Sequence, residues 1–324
     1  MSEGMQYRIS RARIFLFFTY FIVIAVAAVL PILFKVTFFY YASYYVLYFI
    51  ILSEAWNIFG GYCGYVNFGV AGFAGAAAYT DAYLIKIGVA NFTTALFCGA
   101  LVAVFLGLLL GYCTLRLRGD YFSIASVALA TIVQMIIISR PELGGGLGFV
   151  IPMPEPPQPY TTFVEFLFVV MVVIASTSVL ISWKVAKSWI GMGLVAIKDD
   201  EIAAETLGVP TFRLKLLAAI ISALFIGLAG ATLPSYVIYL DPYSSMAIEV
   251  TVTTLASAYL GGLGFWYGPL VGASILGTAS RVCTLTIGSE FNVLVIGIIL
   301  VVTIMIAPSG IVGAIKKRVK EGNR

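Results

Sequence analysis

Long apolar segments, broken only by scattered charged, Gly or Pro residues, constrain this chain more than any other feature. A membrane-spanning helix needs about 20 mostly apolar residues to cross a hydrocarbon core of about 30 Å. Ten such segments can be drawn along the sequence. They are 14–34, 36–59, 62–85, 92–115, 121–138, 162–183, 214–233, 246–265, 268–287 and 291–307. We therefore predict an all-α polytopic membrane protein of about ten transmembrane segments, within a range of about eight to eleven.

The composition excludes the other broad classes of protein. The chain is 61% hydrophobic and only 10% charged, whereas soluble domains are about 45–50% apolar and about 25% charged. Disordered proteins have the opposite bias, toward charge and away from apolar residues. The chain has no His, and its four Cys lie singly without a CxxC pair, so neither a metal site nor a disulfide framework is indicated. We expect a single membrane domain over 1–324 that is not an enzyme.

The distribution of basic residues predicts the orientation of these segments. With the N-terminus in the cytoplasm, 15 of the 19 Lys and Arg residues fall on cytoplasmic segments, as the positive-inside rule requires. These 15 are Arg8, Arg11, Arg13, Arg116, Arg118, Lys184, Lys187, Lys198, Arg213, Lys215, Lys316, Lys317, Arg318, Lys320 and Arg324. We expect a multi-pass protein of the cell (cytoplasmic or inner) membrane with both termini cytoplasmic and the Pro-rich segment 152–159 outside.

The largest predicted cytoplasmic segment, 184–213, contains a short helix signal. Acidic residues open the stretch 199–207, where they suit the helix dipole, and Gly208 followed by Pro210 ends it. Two alanines and a leucine give this helix one small apolar face, and its acidic residues could meet basic groups on a partner. Such a helix suits docking to a cytoplasmic protein better than lying on lipid, because lipid-bound helices are rich in Lys and Arg. The candidate docking residues are Asp199, Asp200, Glu201, Ala203, Ala204, Leu207 and Gly208.

Glu54 is the most unusual residue of the predicted membrane interior, because a charge there is costly and is therefore a functional candidate. It either lines a translocation path or makes a structural hydrogen bond. The segments Gly60–Gly64 and Gly261–Gly264, which we call the first and second glycine breaks, could be irregular backbone that lines a cavity, whereas tight helix packing is the simpler explanation of the glycines. The candidate path residues are Glu54, Asn57, Gly64, Asn67, Gly69, Gly72, Gly264 and Gly268. The remaining ionisable residues, Asp81, Glu165, Glu249 and Arg281, lie near outer ends, where side chains reach the interface.

Two glycine-bounded segments resemble each other 200 residues apart. GYVNFGVAG (64–72) and GFWYGPLVG (264–272) each precede a run of small residues, and both runs leave from the predicted cytoplasmic side. This pattern predicts a parallel internal repeat. Chance similarity between Gly-rich helix starts is the alternative.

The loop sequence GMGLVAIKDDEIAAETLGVPTFRLKL resembles the cytoplasmic loop of permease subunits of branched-chain amino acid ABC importers, especially the M-type subunit of the Liv system. Nine residues match the family pattern: Gly191, Ala196, Ile197, Asp200, Glu201, Ala203, Ala204, Leu207 and Gly208. Similar matches occur in order at NIFGGYCGYVNFG (57–69), LRLRGDYFSI (115–124), ELGGGLGF (142–149), YLGGLGFWYGPLVGA (259–273) and APSGIVG (307–313). Met192 and Val195 stand where the family often has basic residues, and Val70 where it usually has His.

The resemblance implies a permease subunit for branched-chain amino acids or a similar small polar solute. It implies a second permease subunit, two cytoplasmic ATPase subunits, an extracytoplasmic substrate-binding protein and membrane lipid as partners, and no nucleic acid. The chain has no GxxxxGK[ST] phosphate loop, so we expect no cofactor in this chain and ATP use by the partner subunits.

Two other functions are compatible with a polytopic membrane chain. An ion-coupled secondary transporter would use Glu54, Glu249 or Asp81 as its coupling carboxylate. A passive channel or structural subunit would leave the capped helix of 184–213 without a role.

Overall fold

A computed structural model describes residues 37–114, 120–286, 288, 292–307 and 310–314. The predicted span 14–34, the N-terminal arginines, Arg116, Arg118 and the basic tail lie outside these residues. The long helices are α1 (Thr37–Trp56, continued by a π-helical turn, Asn57–Gly61), α2 (Val70–Lys86), α3 (Phe92–Thr114), α4 (Asp120–Ile138), α5 (Phe163–Lys187), α8 (Thr211–Val237), α10 (Ile248–Gly261), α11 (Gly268–Thr286) and α12 (Asn292–Ile306). The shorter elements are β1 (Phe149–Val150), α6 (Trp189–Asp199), α7 (Glu201–Thr206), β2 (Tyr239–Leu240) and α9 (Pro242–Ser245), with 3-10 turns at Pro141–Leu143 and Gly145–Leu147.

Nine of the ten predicted spans coincide with helices in the described part of the chain. Four of these helices are long and apolar enough to cross a membrane: Phe92–Cys113, Asp120–Ile138, Phe163–Lys187 and Thr211–Val237. The largest error in the predicted bounds is at α2, which begins at Val70 and not at residue 62. Residues 64–69 are not helical because Gly64 adopts φ +81°, a left-handed conformation that stops the preceding helix.

Helix α8 lies at the centre of the bundle and packs against α1, α2, α3 and α5. Its middle is rich in small residues, and a Cβ atom at Gly230 would lie 2.2 Å from the carbonyl oxygen of Ala74 in α2. Such close backbone approach is the usual packing mode of membrane helices. The hairpin of α10 and α11 packs on the other side of α1.

The two segments that join α4 to α5 and α8 to α9 meet in a small antiparallel ribbon. Phe149 of β1 pairs with Leu240 of β2, and the Lys86 ammonium lies 4.3 Å from the centroid of the Phe149 ring. The sequence did not predict these strands, because each has only two residues. The Pro-rich segment 152–159 follows β1 and is mostly exposed.

The ionisable residues near the predicted outer ends differ from one another. Glu249 is exposed, and Glu165 accepts hydrogen bonds from the backbone N–H and the hydroxyl of Thr161 at 3.1 and 2.9 Å. Arg281 lies over the ring of Tyr45. Asp81 is completely buried, so the expectation that it reaches the interface is wrong. Its position on α2 turns it toward the bundle, not toward solvent or lipid.

Candidate functional site

The loop 184–213 contains two helices where the sequence predicted one. Helix α6 was missed, and it ends at Asp199, the residue predicted to begin the docking helix. Asp200 adopts an extended conformation and caps α7, since its Oδ1 accepts hydrogen bonds from the N–H groups of Ile202 and Ala203 at 2.9 and 3.0 Å. The predicted helix 199–207 is thus shorter, and Asp200 satisfies its first backbone donors.

Helix α7 stops at the glycine that the sequence identified. Gly208 has φ +84°, and its N–H donates to the carbonyl oxygen of Glu205 at 2.9 Å, while the N–H of Val209 donates to that of Ala204 at 3.0 Å. This pair of hydrogen bonds is a Schellman motif, in which a left-handed glycine lets the chain turn back and satisfy the last carbonyls of a helix. The start and the end of α7 are therefore both fixed by local capping.

The predicted small face of α7 is divided between two sides of the helix. Ala204 is only 3% exposed and packs into the protein core. Ala203 is exposed, and Leu207 is 84% exposed. The expectation of one accessible face formed by both alanines is wrong, because consecutive residues of an α-helix point about 100° apart.

Exposed apolar side chains continue from α7 onto α6. Trp189, Met192 and Val195 are exposed and recur every three residues, so they lie along one side of α6. Ile202 and Leu207 are exposed on α7. We call these five residues the loop apolar surface.

Glu201 is held by two residues of the same chain. The Lys215 ammonium lies 2.7 Å from Glu201 Oε1, and the Tyr65 hydroxyl donates to Glu201 Oε2. Lys215 also lies 3.3 Å from the Tyr65 hydroxyl oxygen and is only 2% exposed. The expectation that Glu201 is available to basic groups of a partner is therefore wrong. Its counter-charge comes from α8, and the cluster fastens α7 to α8 and to the segment before α2.

A second polar contact joins the end of α6 to the first glycine break. Lys198 Nζ donates to the carbonyl oxygen of Gly61 at 3.0 Å, and a Cβ atom at Gly64 would lie 3.0 Å from Lys198 Cγ. An open cavity of about 280 Å³ lies between this part of the loop and residues 63–65. The 184–213 loop thus rests directly on the turn that leads from α1 to α2.

Asn57 joins the first glycine break to the second one. Its Nδ2 donates to the carbonyl oxygen of Phe265 at 3.1 Å, and its Oδ1 accepts from the N–H of Gly264 at 3.1 Å. Gly61 makes room for this amide, because a Cβ atom there would lie 1.8 Å from Asn57 Oδ1. The π-helical turn after α1 therefore meets the segment between α10 and α11 through one buried side chain.

The model of the branched-chain amino acid transport system permease component family matches residues 37–304. The chain belongs to this family. It is 28% identical over 300 residues to the high-affinity branched-chain amino acid transport system permease protein LivM of Escherichia coli (strain K12), an alignment that covers 85% of this chain and 70% of that protein.

This permease is also similar to LivH proteins over part of its length. It is 30% identical over 141 residues to the probable branched-chain amino acid transport permease protein LivH of Methanocaldococcus jannaschii, which covers 41% of this chain and 44% of that protein. Among solved structures, it is similar to a chain of PsaBC from Streptococcus pneumoniae in complex with Fab. The TM-score is 0.47, the sequence identity 18%, and the match covers 86% of this chain and 94% of that one.

The candidate path residues of this permease occupy different environments. Asn57 and Gly264 are in contact, and Gly64 lies at the cavity beside the loop. Asn67 forms part of a turn, where its Oδ1 accepts from the N–H of Gly69 at 2.8 Å. The other three are buried: Glu54 in α1, Gly72 against Ala130 of α4, and Gly268 at the start of α11. The structure thus brings together the residues of the two breaks and leaves Glu54 and Gly72 apart.

Tyr65, Lys198 and Lys215 are structural members of this site that the sequence analysis did not select. Lys215 gave a usable signal, because it lies just inside the predicted apolar span 214–233, where an ionisable residue is a candidate by default. Tyr65 gave none, since one tyrosine among 19 does not stand out. Its contact with Glu201 spans 136 positions in the sequence.

Proposed function

We propose that this chain is the membrane-spanning permease subunit of an ATP-driven importer for branched-chain amino acids or similar small polar solutes. The family match over 37–304 carries the proposal, because it includes nearly all of the described helices. The similarity to LivM along 85% of the chain supports the same substrate class.

The proposed assembly contains a second permease, related or identical. Partial similarity to LivH as well as to LivM supports this subunit. Two cytoplasmic ATPase subunits hydrolyse the ATP, and an extracytoplasmic binding protein delivers the solute. The permease itself holds no cofactor, contacts membrane lipid and binds no nucleic acid.

The proposed topology has ten crossings in one membrane domain, with 14–34 as the first and both termini cytoplasmic. The 184–213 loop then faces the cytoplasm, and the Pro-rich segment 152–159 faces outward. The basic residues support this orientation. The proposed parallel repeat rests on the similar glycine spacing of 64–72 and 264–272. A cysteine at Glu155, in a chain without its four natural cysteines, should react with a membrane-impermeant reagent from outside. Reaction only from the cytoplasmic side would show that the proposed orientation is wrong.

The loop apolar surface is the proposed docking site for the ATPase. Its side chains are exposed on a loop whose own position is fixed by the Glu201–Lys215 ion pair. A fixed apolar surface rimmed by polar residues is typical of a protein interface. The exposed carboxylate of Asp199, at the end of α6, is available to a basic group on the partner.

Ala203→Trp is the variant that tests this docking site. The side chain is exposed, so the substitution should leave the fold intact and obstruct the partner sterically. Val89→Trp is the matched control, because Val89 is also exposed but lies between α2 and α3, on the proposed outer side. We expect Ala203→Trp to reduce ATPase association and uptake by about tenfold or more, and Val89→Trp to change neither.

The same reconstituted system separates this function from its alternatives. Solute uptake into vesicles should require ATP and the ATPase subunits. Uptake driven by a proton or sodium gradient without ATP would instead support an ion-coupled transporter. Uptake that needs neither would support a channel.

A further inference from the structure

Lys198 satisfies a backbone group that a helix end leaves exposed. The π-helical turn after α1 ends at Gly61, and the last carbonyl groups of a helix have no partner within it. A lysine is well suited to that position, since it donates hydrogen bonds and its charge opposes the negative end of the helix dipole. Because Lys198 comes from α6, this cap joins the loop to the first break.

The loop holds the same segment at a second point. Tyr65 follows Gly61 by four residues, and its hydroxyl donates to Glu201 of α7. The segment 61–65 is therefore attached to α6 through Lys198 and to α7 through Glu201. Two attachments four residues apart fix both the position and the direction of a segment, whereas one would leave it free to pivot.

Asn57 lies at the other end of the same turn, one helical turn before Gly61. Its amide nitrogen donates to the backbone carbonyl of Phe265, and its amide oxygen accepts from the backbone N–H of Gly264. The residue is completely buried, so these hydrogen bonds do not compete with water. A movement of the turn is thereby passed to the segment between α10 and α11.

We infer that Lys198 and Asn57 are positioning residues for transport, which act in series to tie the docking loop to both glycine breaks. This inference rests on the proposed function, in which an ATPase moves the loop. When the loop shifts, Lys198 carries the Gly61 end of the turn with it, and Asn57 carries residues 264–265. The ends of four membrane helices, α1, α2, α10 and α11, then move together.

The test compares Lys198→Met, Asn57→Ala and the double variant in the complete reconstituted importer. We expect each single variant to keep its ATPase subunits and to hydrolyse ATP, while the number of solutes transported per ATP falls by about tenfold and the KM for solute changes by less than about twofold. Lys198→Arg should recover most of the coupling, because it retains a donor. Lys184→Met is the matched control, since Lys184 is also exposed and is the first residue of the same loop, on α5.

The double variant distinguishes a linked pair from two independent structural contacts. If the two residues act in series, the double variant should lose no more coupling than the more impaired single variant. If they act independently, the two fold-losses of coupling should multiply. Multiplied losses would contradict the inference, as would unchanged coupling in Lys198→Met. A raised KM in Asn57→Ala would assign that residue to solute binding and would also contradict it.

A second measurement remains available if Asn57→Ala fails to assemble. Phe265→Cys, in a chain without natural cysteines, leaves the backbone carbonyl in place and can be labelled with a thiol reagent. We expect its labelling rate to change on ATP addition, and the change to disappear with Lys198→Met. Persistence of the change in that variant would overturn the inference. Failure of the proposed function is distinct, because it would appear in the unmodified complex as uptake without ATP.

Discussion

The loop 184–213 and the membrane interior hold their carboxylates in opposite ways. Glu201 has a lysine 2.7 Å away and a tyrosine hydroxyl on its other oxygen. Glu54 and Asp81 are completely buried, and none of their carboxylate oxygens has a hydrogen-bond partner among the described residues. The side chain of Ser182 and the backbone of Leu270 are the polar neighbours of the Glu54 carboxylate.

This difference predicts a structural role for Glu201 and a functional role for the carboxylates of the membrane interior. A buried ion pair fixes the geometry of the elements it joins, and it is costly to break because the remaining charge is left without a partner. A buried carboxylate without such an ion pair contributes nothing comparable to the fold, so within a membrane bundle it is a candidate for function. Substitutions at the two kinds of site should therefore affect different measurements.

The largest effect on stability is expected at the ion pair. Lys215→Met leaves Glu201 with its charge but without its counter-charge, and removing one partner of a buried pair costs about 3–5 kcal/mol. We expect a lower unfolding temperature in detergent and faster proteolysis of the 184–213 loop. Adding Glu201→Gln to Lys215→Met should restore much of the loss, because no isolated charge then remains.

Asp199→Asn is the control for this pair. Asp199 is an exposed carboxylate two residues from Glu201, and exposed substitutions usually change stability by no more than about 0.5 kcal/mol. Equal effects of Asp199→Asn and Lys215→Met would show that the ion pair does not hold the loop.

Glu54→Gln should produce the largest effect on transport without an effect on assembly. Glutamine preserves the shape of the side chain and removes a carboxylate that has no hydrogen-bond partner in the described part of the chain. We expect uptake to fall by about tenfold, while the amount of assembled complex stays within about twofold. Uptake by purified complex, normalised to the amount of protein, is the measurement.

The exposed residue Glu249 provides the comparison for Glu54. Glu249→Gln should leave uptake unchanged, because the Glu249 side chain is exposed and is not enclosed in the helix bundle. Unchanged uptake in assembled Glu54→Gln would assign Glu54 to structure and remove the distinction drawn between the two regions.

Asp81→Asn should have a smaller effect than Glu54→Gln. Asp81 lies near the end of α2 away from the glycine breaks, so it is remote from the parts that the loop holds. We expect uptake to fall by no more than about threefold. A loss as large as that of Glu54→Gln, together with uptake that depends on a proton gradient, would favour the ion-coupled alternative.

The features that follow from the local sequence were predicted well. An apolar segment long enough to span the membrane forms a helix whatever its neighbours are, because in lipid its backbone hydrogen bonds must be made within the segment. The helices that correspond to nine predicted spans therefore begin and end within a few residues of the predicted bounds, apart from the start of α2. The end of α7 at Gly208 was equally predictable, since a left-handed glycine terminates a helix through contacts with its own last turn.

Only the tertiary structure decided what the polar side chains do. Glu201 was expected to face a partner, yet its charge is balanced from α8, and Asn57 was selected for a path but binds backbone 207 and 208 residues away. Asp81 was expected at the interface and is buried. Hydropathy is a property of each segment alone, so the sequence determined which segments become membrane helices. Partners of a buried polar group depend on which helices meet and at what rotation, and packing over the whole bundle sets both.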